Sequence, residues 1–249
     1  MKPRPWTLAA AAAFLAIAAP LAAYSVQPMI YSMTPTGTGS TVRLTVVNPR
    51  EALLNVELQP FRVTADEQGK RTFTPAADDF LLFPPQASIA SDKSQIFQVR
   101  YIGAPQFEQG RVYVVRVRQT NTINTMRTDP GATAQTELKL SINFNTTAIV
   151  QPKAMMADVA VERDLAPDAQ GVLRGRIVNK GSGVADLTRL GWTIERNGKA
   201  ERLALDDISY GDAVFLEPGH SREISLSPKV TGAVRLGFSG AQSRDGPGG

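Results

Sequence analysis

Apolar side chains in this sequence recur at every second position, and outside the N-terminal stretch no segment of helical length sustains a repeat of three to four. The stretch Thr136 to Phe144, TELKLSINF, is the clearest case: Leu138, Leu140, Ile142 and Phe144 fall on one parity, Lys139, Ser141 and Asn143 on the other. On a helix turning about 100° per residue, Leu138 and Ile142 would share one side while Leu140 and Phe144 fell nearly opposite; on a strand all four line one face. At about 3.4 Å per residue the run from Leu138 to Phe144 reaches roughly 20 Å. Burying each such side chain contributes about 1.5–3 kcal/mol before entropic costs. Alternation leaves two outcomes open: the row seals the protein's own core as a last inward-facing strand, or it meets another molecule.

The same pattern fills the rest of the chain. TVRLTVVNP (Thr41 to Pro49) is rich in β-branched residues, and in ALLNVELQPFRV Leu54, Val56 and Leu58 alternate with Asn55, Glu57 and Gln59. Pro60 breaks that alternation and is expected at a bulge or an edge, because proline cannot donate to a ladder. ADEQGK (Ala65 to Lys70) reads as a turn, and FLLFPP, SQIFQVRYIG and GRVYVVRVRQ as strands. A long polar loop, Thr120 to Gln135, follows with a turn at Asp129-Pro130-Gly131, the kind of loop that is usually functional or mobile. Past Pro152, a hinge mark, strands restart in ADVAVERD, GVLRGRIVNKGSG, LTRLGWTIERNGKAERL, AVFLEPGHSREISL and GAVRLGF, with turns at Asn197-Gly198 and Pro218-Gly219. The expected fold is all-β, two sandwiches in series: residues 26–151 and residues 152–238. A chain of 249 residues is long enough for two apolar cores without covalent staples. Residues 239–249, SGAQSRDGPGG, lack apolar content and are expected to be disordered.

The start, MKPRPWTLAAAAAFLAIAAPLAAYS, has Lys2 and Arg4, then an Ala-rich apolar run, then small residues: the pattern of a secretory signal peptide over residues 1–25. Pro20 and the Ala-x-Ser at Ala23 to Ser25 favour cleavage, after Ser25 or Ala23, over a retained membrane anchor. Export with no cysteine suits a bacterial periplasm. The formal charge of +4 falls to +2 once Lys2 and Arg4 leave with the leader, and the basic residues are scattered among acids, so nucleic acid is not an expected partner. Catalytic chemistry is scarce. His220, the single histidine, sits in the turn EPGHSRE, with no elbow or oxyanion hole to make a nucleophile of Ser209 or Ser221 beside Asp206 or Asp207. The pairs Asp78-Asp79 and Asp206-Asp207 are sequence neighbours that would point to opposite sides of a strand, and read as loop solvation. With one histidine and no cysteine, neither catalytic residues, a metal site nor a cofactor is expected.

The order of strands, the double proline in LLFPPQASIASDKSQIFQVRYIG, the GRVYVVRVRQ strand, the long loop, TELKLSINFNTTAIVQP, and a second sandwich with VNKGSG, NG and LEPGHSREISL resemble the periplasmic chaperones of chaperone-usher pili. The likeness is greatest to the divergent branch serving colonisation-factor-type and common-pilus fimbriae, and runs from Val26 to Phe238. It implies two immunoglobulin-like domains and a non-enzymatic role: binding pilus subunits by donor-strand complementation and delivering them to an outer-membrane usher. In that mechanism the last strand of the first domain lends alternate apolar side chains to a subunit that lacks a strand. The matching residues are Leu138, Leu140 and Ile142, with Phe144 as a fourth, and the loop before them would order on binding. Well-studied members also anchor the subunit's terminal carboxylate with two basic residues, at places that fall near Ser32 and Thr147, neither of them basic. Arg100, Arg116, Arg118 and Lys153 are the replacement candidates. Gly110 and Gln151 stand where the branch has an interdomain glutamate and arginine, so the contact between domains is expected to differ. Two copies capping one another would form a homodimer. The alternative reading is an immunoglobulin-like structural or adhesive pilus-associated surface protein.

Overall fold

The computed structural model describes residues 23–121, 123–127 and 136–239, with backbone alone for 123–127 and 136–140. The leader up to residue 22, the tail beyond residue 239 and the Asp129-Pro130-Gly131 turn lie outside the described residues.

The first half builds β1 (Ser25–Gln27), β2 (Ile30–Met33), β3 (Thr41–Asn48), β4 (Leu54–Ala65), β5 (Arg71–Pro75), β6 (Phe80–Phe83), β7 (Gln86–Ile89), β8 (Lys93–Tyr101), β9 (Arg111–Gln119), β10 (Ile123–Arg127), β11 (Thr136–Leu140) and β12 (Asn143–Val150). One sheet has the order β1-β3-β8-β6 and the facing sheet β2-β12-β9-β4-β5, with β7 also on β4. The alternation predicts which side chains meet between them. Leu44 and Val46 of β3, Phe97 and Val99 of β8, Val56 of β4, and Val115 and Val117 of β9 are buried in one core.

The second half builds β13 (Val159–Pro167), β14 (Leu173–Asn179), β15 (Ala185–Asp186), β16 (Gly191–Arg196), β17 (Lys199–Arg202), β18 (Ile208–Ser209), β19 (Phe215–Leu216), β20 (Ser221–Leu226) and β21 (Arg235–Ser239). Sheets β13-β14-β20-β18 and β17-β16-β21, with the short pair β15-β19, enclose a second core around Trp192, Ile177, Ile224 and Leu187. No strand of one half pairs with a strand of the other among the described residues. The architecture is all-β, two immunoglobulin-like sandwiches.

A fully buried asparagine ends the corresponding strand of each half. Asn48, in VVNP, donates to the carbonyls of Ala52, Ile89 and Ala90 and accepts from the Arg50 N–H. Asn179, in IVNK, donates to Gly183 and Leu216 and accepts from the Asp158 and Gly181 N–H groups. Each pins loops whose backbone would otherwise be buried without partners.

Several expectations need correction. TELKLSINF is not one strand: β11 stops at Leu140 and β12 begins at Asn143. The polar loop is shorter than expected, because Ile123 to Arg127 pairs with Thr136 to Leu140 as an antiparallel ribbon. Of the two places expected for Pro60, a bulge or an edge, it takes the second, locally. It faces Val115 within β4, at the gap where β4 passes from pairing with β7 to pairing with β5. The Pro60 carbonyl accepts from Ala76 across that gap, so the missing N–H falls where no ladder bond is due. At the two boundaries, Ser25 pairs with Val47 in β1 and Ser239 pairs with Gly191 in β21.

Candidate functional site

The β9–β12 hairpin does not end with its sandwich. The register passes from Arg118 opposite Asn143 to Ile123 opposite Leu140, and beyond this irregularity the chain continues as the β10–β11 ribbon. Side-chain chemistry explains the break. The Ser141 hydroxyl donates to the Gln119 carbonyl (3.1 Å), and buried Gln119 turns its amide onto the Asn121 carbonyl (2.6 Å). Asn121 ties that leg to β4, accepting from the Asn55 N–H (2.8 Å) and donating to the Leu53 carbonyl (2.7 Å).

Half of the outer edge of β12 is open. The N-terminal chain runs first in one sheet as β1, then crosses at Pro28 to run parallel to β12 as β2, pairing only with Thr147 to Val150. The Thr147 N–H donates to the Met29 carbonyl (2.7 Å) on that side. Because backbone groups alternate along a strand, those of Asn143 and Asn145 point the same way, off an edge where no described strand pairs with them.

The sheet face beside this edge is graded. The pair Val112–Ile149, with Val63 packed beside it, and the row Phe61–Val114–Thr147 are apolar or nearly so, and their buried apolar members pack with Val184, Ala213 and Phe215 of the second half. The next rows are polar: Gln59–Arg116–Asn145, then Glu57–Arg118–Asn143. Arg116 lies over the rings of Phe61 (4.6 Å) and Phe73 (5.5 Å) and donates through Nε to Asn145 Oδ1 (3.0 Å). Arg118 is spent on Glu57 (2.8 Å), a hydrogen bond that holds the Glu57 carboxyl below its ordinary value.

The sequence-predicted residues therefore separate. Leu138 and Leu140 belong to β11, and their side chains lie outside the described residues. Ile142 and Phe144 are half-buried against the protein's own first core, Phe144 edge-on to Tyr24 at 4.7 Å. Arg116 and Arg118 flank the open edge. Arg100 points out of the other sheet, and Lys153 is exposed past the end of β12, near Thr34 to Gly39. Ser32 is exposed opposite Ile149, and Thr147 is nearly buried opposite Ile30.

Solved structures share this architecture. The class 5 fimbriae chaperone CfaA matches with a TM-score of 0.52 at 11% identity, over 90% of this chain and 96% of that one. The SafB chaperone, in complex with the SafA pilin of Salmonella enterica, matches at 0.52 and 16%, over 85% and 87%. The complex of CsuC and CsuE, chaperone and tip adhesion subunit of the archaic Csu pili of Acinetobacter baumannii, matches at 0.50 and 10%, over 84% and 91%. This is the fold of the chaperone-usher pilus chaperones. At these identities the likeness is one of fold, and no protein-family model and no curated protein matches the sequence.

The contact between the halves departs from an ion pair at Gly110 and Gln151. The Gly110 N–H donates to the Ser182 carbonyl (2.8 Å), and Gln151 Oε1 accepts from the Val184 N–H (2.8 Å). A Cβ at position 110 would lie 2.6 Å from Gln151 Oε1, so glycine there makes room for the amide. His220 is an exposed turn residue with Nδ1 3.0 Å from the Pro218 carbonyl. Asp79 accepts from the Tyr113 hydroxyl (2.8 Å), and burial together with that bond pushes the Tyr113 phenol above its ordinary range.

Sequence reasoning missed the open edge and its residues Asn143 and Asn145, although their polar parity beside Phe144 was visible. It also missed the role of Tyr24, assigned to the leader, and of the Asp66 to Lys70 turn, which carries no apolar signal.

Proposed function

We propose that this chain is a periplasmic chaperone that binds pilus subunits by donor-strand complementation and passes them to an outer-membrane usher. The reading rests above all on one observation: the chain passes from the β10–β11 ribbon straight into β12, whose outer edge from Asn143 to Thr146 pairs with no strand among the described residues. An incomplete sandwich that lacks a strand could hydrogen-bond along that edge and take alternate side chains into its core. Leu138 and Leu140 are the residues to be lent, with Ile142 at the boundary and Phe144 retained as part of the root. Of the four basic candidates, Arg116 is the best placed to receive a carboxylate, since its guanidinium stacks on two rings and no acid pairs with it among the described residues. It lies one row from Thr147. In the absence of a subunit, two copies could cap each other's ribbons.

Expression with its neighbouring genes and mass spectrometry of what co-purifies from periplasm tests this. A small pilin-like subunit in stoichiometric complex is the expected result. Recovery of the chain in a surface fibre, with no bound subunit in the periplasm, would favour the structural or adhesive reading instead.

A further inference from the structure

We infer that the β4–β5 turn is a clamp that holds the two domains at one angle, in place of an ion pair between positions 110 and 151. The turn is built by Asp66, whose Oδ1 accepts from the Gln68 and Lys70 N–H groups, with Gly69 at φ +80°. It docks on the second domain through its backbone. The Gly69 carbonyl accepts from the Ala213 N–H (3.1 Å) and the Glu67 carbonyl from the Glu223 N–H (2.7 Å), while the Glu67 carboxylate pairs with Arg176. Gly69 and Gly211, both at positive φ, meet backbone to backbone: a Cβ on Gly211 would strike the Gln68 carbonyl, and one on Gly69 the Tyr210 carbonyl.

The receiving loop is shaped by Arg222, only 1% exposed, which donates to the carbonyls of Tyr210 (2.9 Å), Ala213 (2.9 Å) and Phe215 (3.3 Å). A buried guanidinium is costly unless its surroundings satisfy it, and here it fixes the loop that the turn needs. Nearby, Arg62 of β4 meets the buried Glu217 at 3.1 Å, and Phe215, Ala213 and Val63 close an apolar patch between the halves. Resting on the proposed function, the clamp is a positioning device: β4 belongs to the same sheet as β12, so the angle it sets is the angle at which the open edge is offered.

Small-angle scattering and urea unfolding of Gly211→Val, with Lys70→Ala as a control in the same turn, test the clamp in the free protein. Gly211→Val is expected to shift the pair-distance distribution to longer distances and to split unfolding into two transitions, with near-ultraviolet dichroism of Trp192 retained. Arg222→Met is expected to do the same without adding bulk at the contact. Scattering profiles that match the wild type in both variants overturn the proposal. Failure of the wild type to retain any subunit would sink the chaperone reading without touching this result.

A separate observation assigns the processing bond, and we propose that it is Ala23–Tyr24. Tyr24 is 1% exposed, its hydroxyl lies 3.0 Å from the Val117 carbonyl and 2.9 Å from the Ile142 carbonyl, and its ring packs on Phe144. It thus staples both legs of the hairpin where the ribbon leaves the sandwich. A cut after Ser25 would discard it, whereas hydrolysis at Ala23–Tyr24, leaving a carboxylate on exposed Ala23 and an ammonium on Tyr24, spares it and keeps small residues on the leaving side. Intact mass and N-terminal sequencing of the periplasmic protein are expected to give a chain starting at Tyr24. Any other start, Val26 above all, overturns the assignment.

Discussion

A Leu138→Asp, Leu140→Asp double variant is expected to lose subunit retention while folding as the wild type does. Among the described strands β10 and β11 pair only with each other, so neither sandwich sheet depends on the ribbon for its pairing. Two apolar side chains no longer delivered to a partner cost about 3–6 kcal/mol at ordinary burial energies. That is roughly two to four decades in Kd, before the penalty of desolvating a carboxylate. Co-purification from periplasm reads the loss, and far-ultraviolet dichroism with the urea midpoint reads the fold. Undiminished retention would remove the donor strand from the proposal. Ile142→Asp is a poorer test, because Ile142 also packs against the first core and its replacement disturbs folding and binding together.

The second large effect is expected from Asn179→Ala. The side chain is fully buried and serves the Asp158 and Gly181 N–H groups and the Gly183 and Leu216 carbonyls. Alanine supplies none of these bonds, and each buried group left without a partner costs about 1–3 kcal/mol. A loss of about 4 kcal/mol is expected for the second domain, a large part of the ordinary stability of a domain. Trp192, buried in that core and the only tryptophan after Trp6, reports it by fluorescence in urea. A midpoint shift worth less than about 1 kcal/mol would mean that water takes over the vacated bonds, and would deny Asn179 its role as a pin.

The two asparagines show how much was legible. VVNP and IVNK stand at matching places in the two halves, and a repeat of that kind can be read without coordinates. What each asparagine holds cannot. Asn179 reaches Leu216, and Asn48 reaches Ile89 and Ala90, far along the chain. The same limit applies at the candidate site. Arg116 and Arg118 look alike as alternate residues of GRVYVVRVRQ, yet one faces Gln59 and Asn145 and lies over two phenylalanine rings, and the other faces Glu57. Only strand pairing shows which of the two meets a carboxylate among the described residues.

Local patterning was enough for the all-β class, the pair of sandwiches and the inward parity of Leu54, Val56 and Leu58, because a period of two is set by the pleat of a single strand and needs no neighbour, whereas β9, buried on both faces from Val112 to Val115, carries no such parity. Which strands lie side by side depended on the assembled chain. So did the break in TELKLSINF, the half-covered edge of β12, the burial of Tyr24 and the docking of the Asp66 to Lys70 turn. Each of these is a contact between segments remote in sequence, whose free energy belongs to the pair and leaves no periodic trace in either segment alone.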